Sequence, residues 1–121
     1  FIQYTYARIR SVLRKAAEQG LTVPATLPTD TPINAKEQAL VQSLADFPDV
    51  VREAGETYSP ACIANYTYDL VREFNQFYHD YSILGEADER VRTLRLTLSA
   101  ETAKVILTAM SLLGIEMPER M

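Results

Sequence analysis

The sequence has few of the side chains that perform most enzyme chemistry. It holds one cysteine, Cys62, and one histidine, His79, and it has no tryptophan. A single cysteine excludes an internal disulfide and a Cys-rich metal site, and it is typical of a reducing compartment. A single histidine argues against Ser–His–Asp or Cys–His catalysis of the usual kinds, since at most one such group could form. The composition therefore predicts a domain with no catalytic residues and no metal site of its own.

Long apolar runs and a leader segment are also missing. No run approaches the ~18 residues that span a bilayer, and the N-terminus does not resemble a signal peptide. Hydrophobic residues make up 47% of the 121 residues and charged residues 23%, which is enough apolar material for one core in a chain too short for two ordinary domains. We therefore expect a single soluble, cytoplasmic domain over residues 1–121, with no membrane contact.

Positive charge is scarce overall but concentrated at one end. The net charge of −4 argues against a protein that coats DNA or RNA non-specifically. Residues 1–17 carry four basic side chains and no acid, however, so the remainder holds 8 of the 12 basic residues and all 16 acidic ones. A basic first helix on an acidic body suits local RNA binding. A solvated basic face is the common alternative for such a charge run.

Glycine is scarce too, and the spacing of apolar residues favours helices throughout. Only 4 glycines occur, and no stretch alternates cleanly between polar and apolar residues, so strands have little support. Caps and periodicity predict helices over 1–19, from Asn34, from Pro48 to near Gly55, from Pro60 to before Gly85, and over about 87–113. Three of the six prolines fall within residues 21–33, which predicts a surface loop rich in proline and threonine. The expected fold class is an all-α bundle of about five helices.

The first helix carries two distinct stripes when successive residues are placed roughly 100° apart. One stripe is apolar and is expected to face the core: Ile2, Tyr6, Ile9, Leu13 and Ala16. The other combines aromatic, hydroxyl and cationic groups: Phe1, Tyr4, Arg8, Ser11 and Lys15. Such rings can stack on an unpaired base while an arginine binds base edges or phosphate. The alternative is that the rings pack on a neighbouring helix and Arg8 extends across them.

Aromatic and arginine side chains later in the chain are weaker candidates for RNA contacts. Tyr78 lies in a helix crowded with rings, so it is either a second RNA contact or part of the core. Arg90, Arg92 and Arg95 belong to a charge run that predicts a solvated face, from which an arginine could touch a phosphate.

His79 and Cys62 have structural explanations that are more frequent than functional ones. His79 stands beside Asp80, but neighbouring residues point to different faces of a helix, which disfavours a metal site or an acid–base pair. Cys62 has no basic partner close in sequence, so a small buried apolar side chain is expected rather than a nucleophile.

Four segments resemble one family in their order along the chain. The segment FIQYTYARIRSVLRKA is similar to the first helix of the C-terminal anticodon-binding domain (the DALR type) of arginyl-tRNA synthetases, whose pattern is roughly Tyr/Phe-x-Gln-Tyr-x-x-x-Arg-x-x-Ser. The segments LADFPDVVREA, ANYTYDLVREFNQFYHDY and LLGIEMPERM resemble later parts of that domain. Loop 21–33 falls where the family varies in length. The resemblance therefore covers nearly the whole chain.

The resemblance implies that the chain reads the anticodon loop of arginine tRNA. In the family, the counterparts of Phe1, Tyr4 and Arg8 surround that loop, so the resemblance implies that these three residues form a pocket for a flipped base. Ser11 and Lys15 continue their stripe. The C-terminal residue, Met121, is similar to one that folds back beside the pocket, with a frayed tail as the alternative. Every standard arginine anticodon has cytosine in the middle, so one cytosine pocket serves all of them.

The resemblance also implies that catalysis belongs to a different domain of the same polypeptide. The His-x-Gly-His and Lys-Met-Ser-Lys-Ser signatures of the catalytic domain are missing from these residues, and the Asp-Ala-Leu-Arg motif would lie upstream of Phe1. We therefore expect a C-terminal fragment that is inactive alone and needs no cofactor, partnered by the catalytic domain of the same polypeptide. The full enzyme would use ATP with magnesium to attach arginine to tRNA. The alternative function is a helical protein-interaction module whose aromatic stripe seats a partner helix.

Overall fold

A computed structural model describes residues 1–24 and 31–120. Five helices make up this part of the chain: α1 (Ile2–Glu18), α2 (Ala35–Ala45), α3 (Phe47–Thr57), α4 (Pro60–Asp80) and α5 (Glu89–Leu112). No strand occurs within the two described ranges, so the prediction of an all-α bundle is confirmed. Of the predicted loop 21–33, residues 21–24 and 31–33 contain neither helix nor strand, and residues 25–30 lie outside the described ranges.

Helices α2 and α3 form one bent helical stretch. Asp46 alone separates them, and its backbone stays in the right-handed helical region at φ −77° and ψ −13°. The bend is explained by Pro48, which has no N–H to donate to the carbonyl one turn earlier and whose ring crowds that carbonyl. Helix α3 ends at Thr57, two residues beyond the Gly55 near which its end was predicted. A helical glycine costs only about 1 kcal/mol relative to alanine, and the preceding Ala54 is buried in the core.

Most predicted helix ends are confirmed, either by hydrogen bonds or by the backbone conformation of the residue at the end. Asn34 and Glu37 form a capping box, in which the Glu37 N–H donates to Asn34 Oδ1 at 2.8 Å and the Asn34 N–H donates to Glu37 Oε1 at 3.0 Å. Gly20 and Gly114 follow α1 and α5 with φ of 76° and 75°, which is the left-handed conformation that glycine adopts at helix ends. Ser59 precedes α4 as expected, although its hydroxyl makes no cap bond.

The core is built where α1 and α4 pack against α5, with α2 and α3 completing the bundle. Tyr6, Ile9 and Ala16 of the predicted apolar stripe are buried, whereas Ile2 and Leu13 are partly buried against the core. The buried face of α1 is wider than predicted, because this helix contacts both α4 and α5. Thr5, Ala7 and Val12 are therefore buried as well.

The prediction that the charge run with Arg90, Arg92 and Arg95 forms a solvated face is wrong for Arg95. It is 7% exposed, and its Nε donates to Glu37 Oε2 at 2.8 Å. Its Nη1 donates to the Ser82 carbonyl at 2.7 Å and to Glu86 Oε2 at 3.1 Å. Carboxylates from two separate segments thus neutralise the guanidinium, which makes its burial possible. Arg95 is unavailable to a phosphate, whereas Arg90 stays exposed.

Within residues 1–24 and 31–120, no helix is both long enough and apolar enough to span a membrane.

Candidate RNA interface

The aromatic stripe of α1 divides into two places on the surface. Phe1 is 62% exposed and its ring lies against Tyr68 of α4, with the two ring centroids 5.8 Å apart. Tyr4, one turn further along, is 52% exposed and lies beside Arg8. The rings of Phe1 and Tyr4 therefore have different neighbours, although the helical spacing put them on one face.

Arg8 is held between two tyrosine rings. Its guanidinium carbon lies 5.0 Å from the centroid of the Tyr4 ring and 4.7 Å from that of Tyr78 on α4. Its Nη1 donates to Asn75 Oδ1 at 2.9 Å, and its Nη2 donates to the Tyr4 hydroxyl at 3.2 Å. Asn75 is in turn fixed by a bond from its Nδ2 to Thr5 Oγ1 at 2.8 Å. The guanidinium is thus oriented before any ligand arrives.

These side chains line an open cavity of about 450 Å³ between α1 and α4. Its walls come from Tyr4, Ala7, Arg8, Ser11, Val12, Arg14, Lys15, Tyr78 and Arg120. Five of the predicted site residues, namely Tyr4, Arg8, Ser11, Lys15 and Tyr78, therefore meet at one cavity, and Phe1 is outside it. Among the described residues, four cationic side chains and no carboxylate line the walls, and Glu119 lies next to the walls at 3.9 Å from Arg14 Nη1. On a chain of net charge −4, this concentration of positive charge suits an anionic ligand.

The segment after Gly114 runs back along α1. Gln3 Nε2 donates to the Glu116 carbonyl at 3.3 Å, Arg10 Nε donates to Glu119 Oε2 at 3.0 Å, and Arg14 Nη1 donates to the Glu119 carbonyl at 3.2 Å. These bonds bring Arg120 to the wall of the cavity. Met121, for which a place beside the pocket was predicted, lies outside the described residues.

Arg14 and Arg120 are cavity residues that the sequence did not single out. Helical spacing places Arg14 outside the aromatic stripe of α1, and Arg120 belongs to the segment after Gly114. The match of the terminal Pro-Glu-Arg-Met to the family pattern was the signal that pointed toward the tail. Tyr78 is half-buried against Phe74, with ring centroids 6.2 Å apart, and it also lines the cavity. Its contact with RNA stays a prediction.

His79 and Cys62 differ in part from what the sequence predicted. The side chains of His79 and Asp80 touch, although neighbouring residues were expected to point to different faces of the helix, and Cys62 is only half-buried. The His79 ring contacts Asp80 at 3.1 Å and is 88% exposed, while Asp80 also pairs with Lys36. The hydrogen bond from Lys36 and that from His79 lower the pKa of the Asp80 carboxyl. In the part of the chain that the structure describes, no three metal-binding side chains of the His, Cys, Asp and Glu types come together.

Cys62 is half-buried and its thiol donates to the Val50 carbonyl at 3.8 Å. Burial, followed by the charge of Glu53, raises the pKa of the thiol. Since the thiolate is the reactive form, a raised pKa makes Cys62 a poor nucleophile.

The chain belongs to the DALR anticodon binding domain family, whose profile matches residues 2–121. It is 61% identical over all 121 residues to the arginine–tRNA ligase of Parabacteroides distasonis and 62% identical to that of Bacteroides fragilis. Among solved structures, the arginyl-tRNA synthetase of Thermus thermophilus superposes on 99% of the chain with a TM-score of 0.84 and 34% identity. The chain spans about a fifth of the length of each of these proteins. The resemblance found in the sequence is thereby confirmed.

Proposed function

We propose that this chain is the anticodon-binding domain of an arginine–tRNA ligase, and that the cavity between α1 and α4 holds a base of the anticodon loop of arginine tRNA. The family and the full-length similarity to arginine–tRNA ligases support the tRNA as partner. The cavity between α1 and α4 supports the further proposal that the anticodon loop is the part of the tRNA that this chain contacts.

The observation that carries the proposal is the fixed arrangement of Arg8 between Tyr4 and Tyr78. An unpaired base in the cavity can stack on an aromatic ring, a contact that every base can make. A guanidinium has five N–H donors, and Arg8 uses its Nη1 and Nη2 groups once each within the protein. Donors therefore remain for the ligand. Cytosine, the middle base of every arginine anticodon, offers two acceptors on its pairing edge, and a guanidinium can donate to both.

The remaining cavity residues fit the phosphates on either side of the base. Arg14, Lys15 and Arg120 line the same space, and cationic side chains supply most of the binding free energy to nucleic-acid backbones. Phe1 remains a predicted contact for a neighbouring base, since its exposed ring is outside the cavity.

The chemistry of the full ligase belongs, in this proposal, to the rest of the longer polypeptide. The relatives have about four fifths of their length outside the matched region. We propose that ATP with magnesium and arginine bind there, in a catalytic domain of the same polypeptide. This chain then supplies affinity and specificity for tRNA and has no activity of its own.

The test is binding of an arginine-tRNA anticodon hairpin to the chain and to Tyr4→Ala and Arg8→Ala variants. Loss of base stacking is expected to cost about 1–3 kcal/mol for Tyr4→Ala. Loss of a charge-assisted bond is expected to cost about 1.5–3 kcal/mol for Arg8→Ala. Neither variant should unfold, since Tyr4 is exposed and Arg8 is at the rim of the core.

Tyr58→Ala and Arg52→Ala are the matched controls for these variants. Tyr58 is 93% exposed and Arg52 lies on the surface of α3, and neither lines the cavity. Both should bind the hairpin as the parent chain does. If Tyr4→Ala and Arg8→Ala fold and bind as tightly as their controls, the cavity is not the RNA site.

A further inference from the structure

Asn75 has a side-chain amide whose hydrogen-bonding groups are all used within the protein. Its Nδ2 donates to Thr5 Oγ1 at 2.8 Å and to the Val71 carbonyl at 3.0 Å, and its Oδ1 accepts from Arg8 Nη1 at 2.9 Å. An amide nitrogen has two hydrogens, so both are accounted for. Turning the amide by half a rotation would set Oδ1 against the Val71 carbonyl oxygen and Nδ2 against the guanidinium. Two protein acceptors therefore fix which end of the amide faces Arg8.

The two acceptors that orient Asn75 are rigid, since Thr5 and Val71 are fully buried and each lies inside a helix, α1 or α4. Asn75 itself is half-buried. It does not line the cavity that holds Arg8, and it borders a different one of about 300 Å³. Its effect on a base in the cavity between α1 and α4 therefore passes through Arg8.

The bond to Asn75 determines how the guanidinium of Arg8 is turned between the rings of Tyr4 and Tyr78. Attraction to an aromatic ring acts on the positive charge as a whole, whereas a hydrogen bond fixes the direction of one N–H group. The bond from Nη2 to the Tyr4 hydroxyl is longer, at 3.2 Å, and ends on an exposed ring. Asn75 is thus the firmer anchor for the N–H groups that remain for a ligand.

The direction of these N–H groups matters because cytosine and uracil differ on the pairing edge. Cytosine has acceptors at O2 and N3, and a fixed guanidinium can donate to both. Uracil has a hydrogen on N3, which would face one of the same two donors. A guanidinium that is free to turn could instead bind a single uracil oxygen. A fixed pair of bonds to a base edge discriminates by about 5- to 150-fold against the wrong base.

We propose that Asn75 is a positioning residue, which gives the cavity its preference for cytosine over uracil by holding Arg8 in the orientation that donates to two acceptors. This inference rests on the proposed function and adds to it a residue that acts on the base through Arg8. Asn75 carries no charge. It therefore controls the choice of base and leaves the salt dependence of binding unchanged.

The test compares anticodon hairpins with cytosine or uracil as the middle anticodon base, titrated against the parent chain, Asn75→Ala and Thr5→Val. The parent should bind the cytosine hairpin about 5- to 150-fold more tightly. Asn75→Ala should bring this ratio close to 1 and keep the parent's slope of log K against log salt, because Arg8 keeps its charge. Thr5→Val removes one of the two acceptors and should lower the ratio by a smaller factor. A merely structural role would weaken both hairpins equally.

Asn65→Ala is the matched control, since Asn65 is exposed on the same helix and does not line the cavity; it should keep the parent's ratio. A double variant tests the route through Arg8: Asn75→Ala should cause no further loss of affinity once Arg8→Ala is present. The inference is overturned by a further loss there, by a folded Asn75→Ala that keeps the ratio, or by a parent that binds both hairpins equally.

Asn75→Asp covers the case in which Asn75→Ala does not fold, because it keeps an oxygen that accepts from Arg8 Nη1. Asn75→Asp must then retain the preference for cytosine while Thr5→Val lowers it, and any other result overturns the inference. The proposed function fails separately, through Tyr4→Ala and Arg8→Ala binding the cytosine hairpin as their own controls do.

Discussion

Arg95 is the residue at which the fold buries a full positive charge. Its partner Glu37 is 1% exposed and has two tasks, because one carboxylate oxygen accepts from Arg95 and the other from the Asn34 N–H at the start of α2. A single carboxylate therefore joins the N-terminus of α2 to the side of α5. Such a pair adds little net stability compared with apolar residues, but removing one partner leaves the other charge buried.

Arg95→Ala is accordingly expected to lower the free energy of unfolding by about 3–5 kcal/mol. Urea denaturation followed by circular dichroism measures the change. Arg90→Ala is the control, because Arg90 lies on the same helix in an exposed pair with Asp88, where a change of at most about 1 kcal/mol is expected. Equal urea midpoints for the two variants would contradict the assignment of Arg95 to the core.

At the scale of helices, the three glycines inside or next to a helix differ in what they do. Gly20 and Gly114 follow α1 and α5 in the left-handed conformation, and the next residue closes each end: the Leu21 N–H donates to the Ala16 carbonyl at 2.9 Å, and the Ile115 N–H to the Met110 carbonyl at 2.8 Å. Gly55 lies inside α3. A methyl group at any of these three positions meets no other atom within 4 Å, so only backbone conformation distinguishes them.

Alanine substitutions at Gly114 and Gly55 should therefore change stability in opposite directions. Gly114→Ala is expected to cost about 1–2 kcal/mol, because an L-residue is strained in the left-handed region. Gly55→Ala is expected to stabilise by about 0.5–1 kcal/mol, since alanine loses less entropy than glycine on entering a helix. Each serves as the control for the other in thermal or urea unfolding. Changes of the same sign would contradict either the left-handed conformation of Gly114 or the helical conformation of Gly55.

For the whole molecule, the distribution of charge decides how binding depends on salt. The chain is acidic, yet the cavity between α1 and α4 is lined by Arg8, Arg14, Lys15 and Arg120. Neutralisation of phosphates releases counterions, whereas burial of an apolar partner helix does not. Salt dependence therefore separates the RNA function from the alternative of a protein-interaction module.

Binding of the anticodon hairpin is expected to weaken as salt rises, with log K falling by about 0.7 per decade of salt for each single-stranded phosphate contacted. Tyr4→Ala should leave this slope unchanged because a ring carries no charge. Arg8→Ala should reduce the slope by about 0.7 if Arg8 binds phosphate, and should leave it unchanged if Arg8 binds the base edge. A partner peptide that binds with affinity independent of salt, while the hairpin does not bind, would support the protein-interaction module instead.

Much of the site was predictable because α1 carries most of it. Tyr4, Arg8, Ser11 and Lys15 follow one another at helical spacing, so the stripe on this helix could be read directly from the residues. Spacing could not predict that this stripe meets Tyr78 and Arg120, because α1, Tyr78 and Arg120 lie far apart in the sequence. Phe1 shows the limit of the same reasoning, since its ring packs against Tyr68 and does not line the cavity.

The sequence by itself determined the helices, their caps and the basic stripe of α1, since each depends on residues within four positions of one another. Only the tertiary structure decided that Arg95 is buried, that the C-terminal segment lies along α1, and that Tyr78 and Arg120 line one cavity with the stripe of α1. These features depend on contacts between residues far apart in the chain, as between Arg95 and Glu37 or Arg10 and Glu119. Packing of the helices selects such contacts, because a charge becomes tolerable in the core only when its partner is brought beside it.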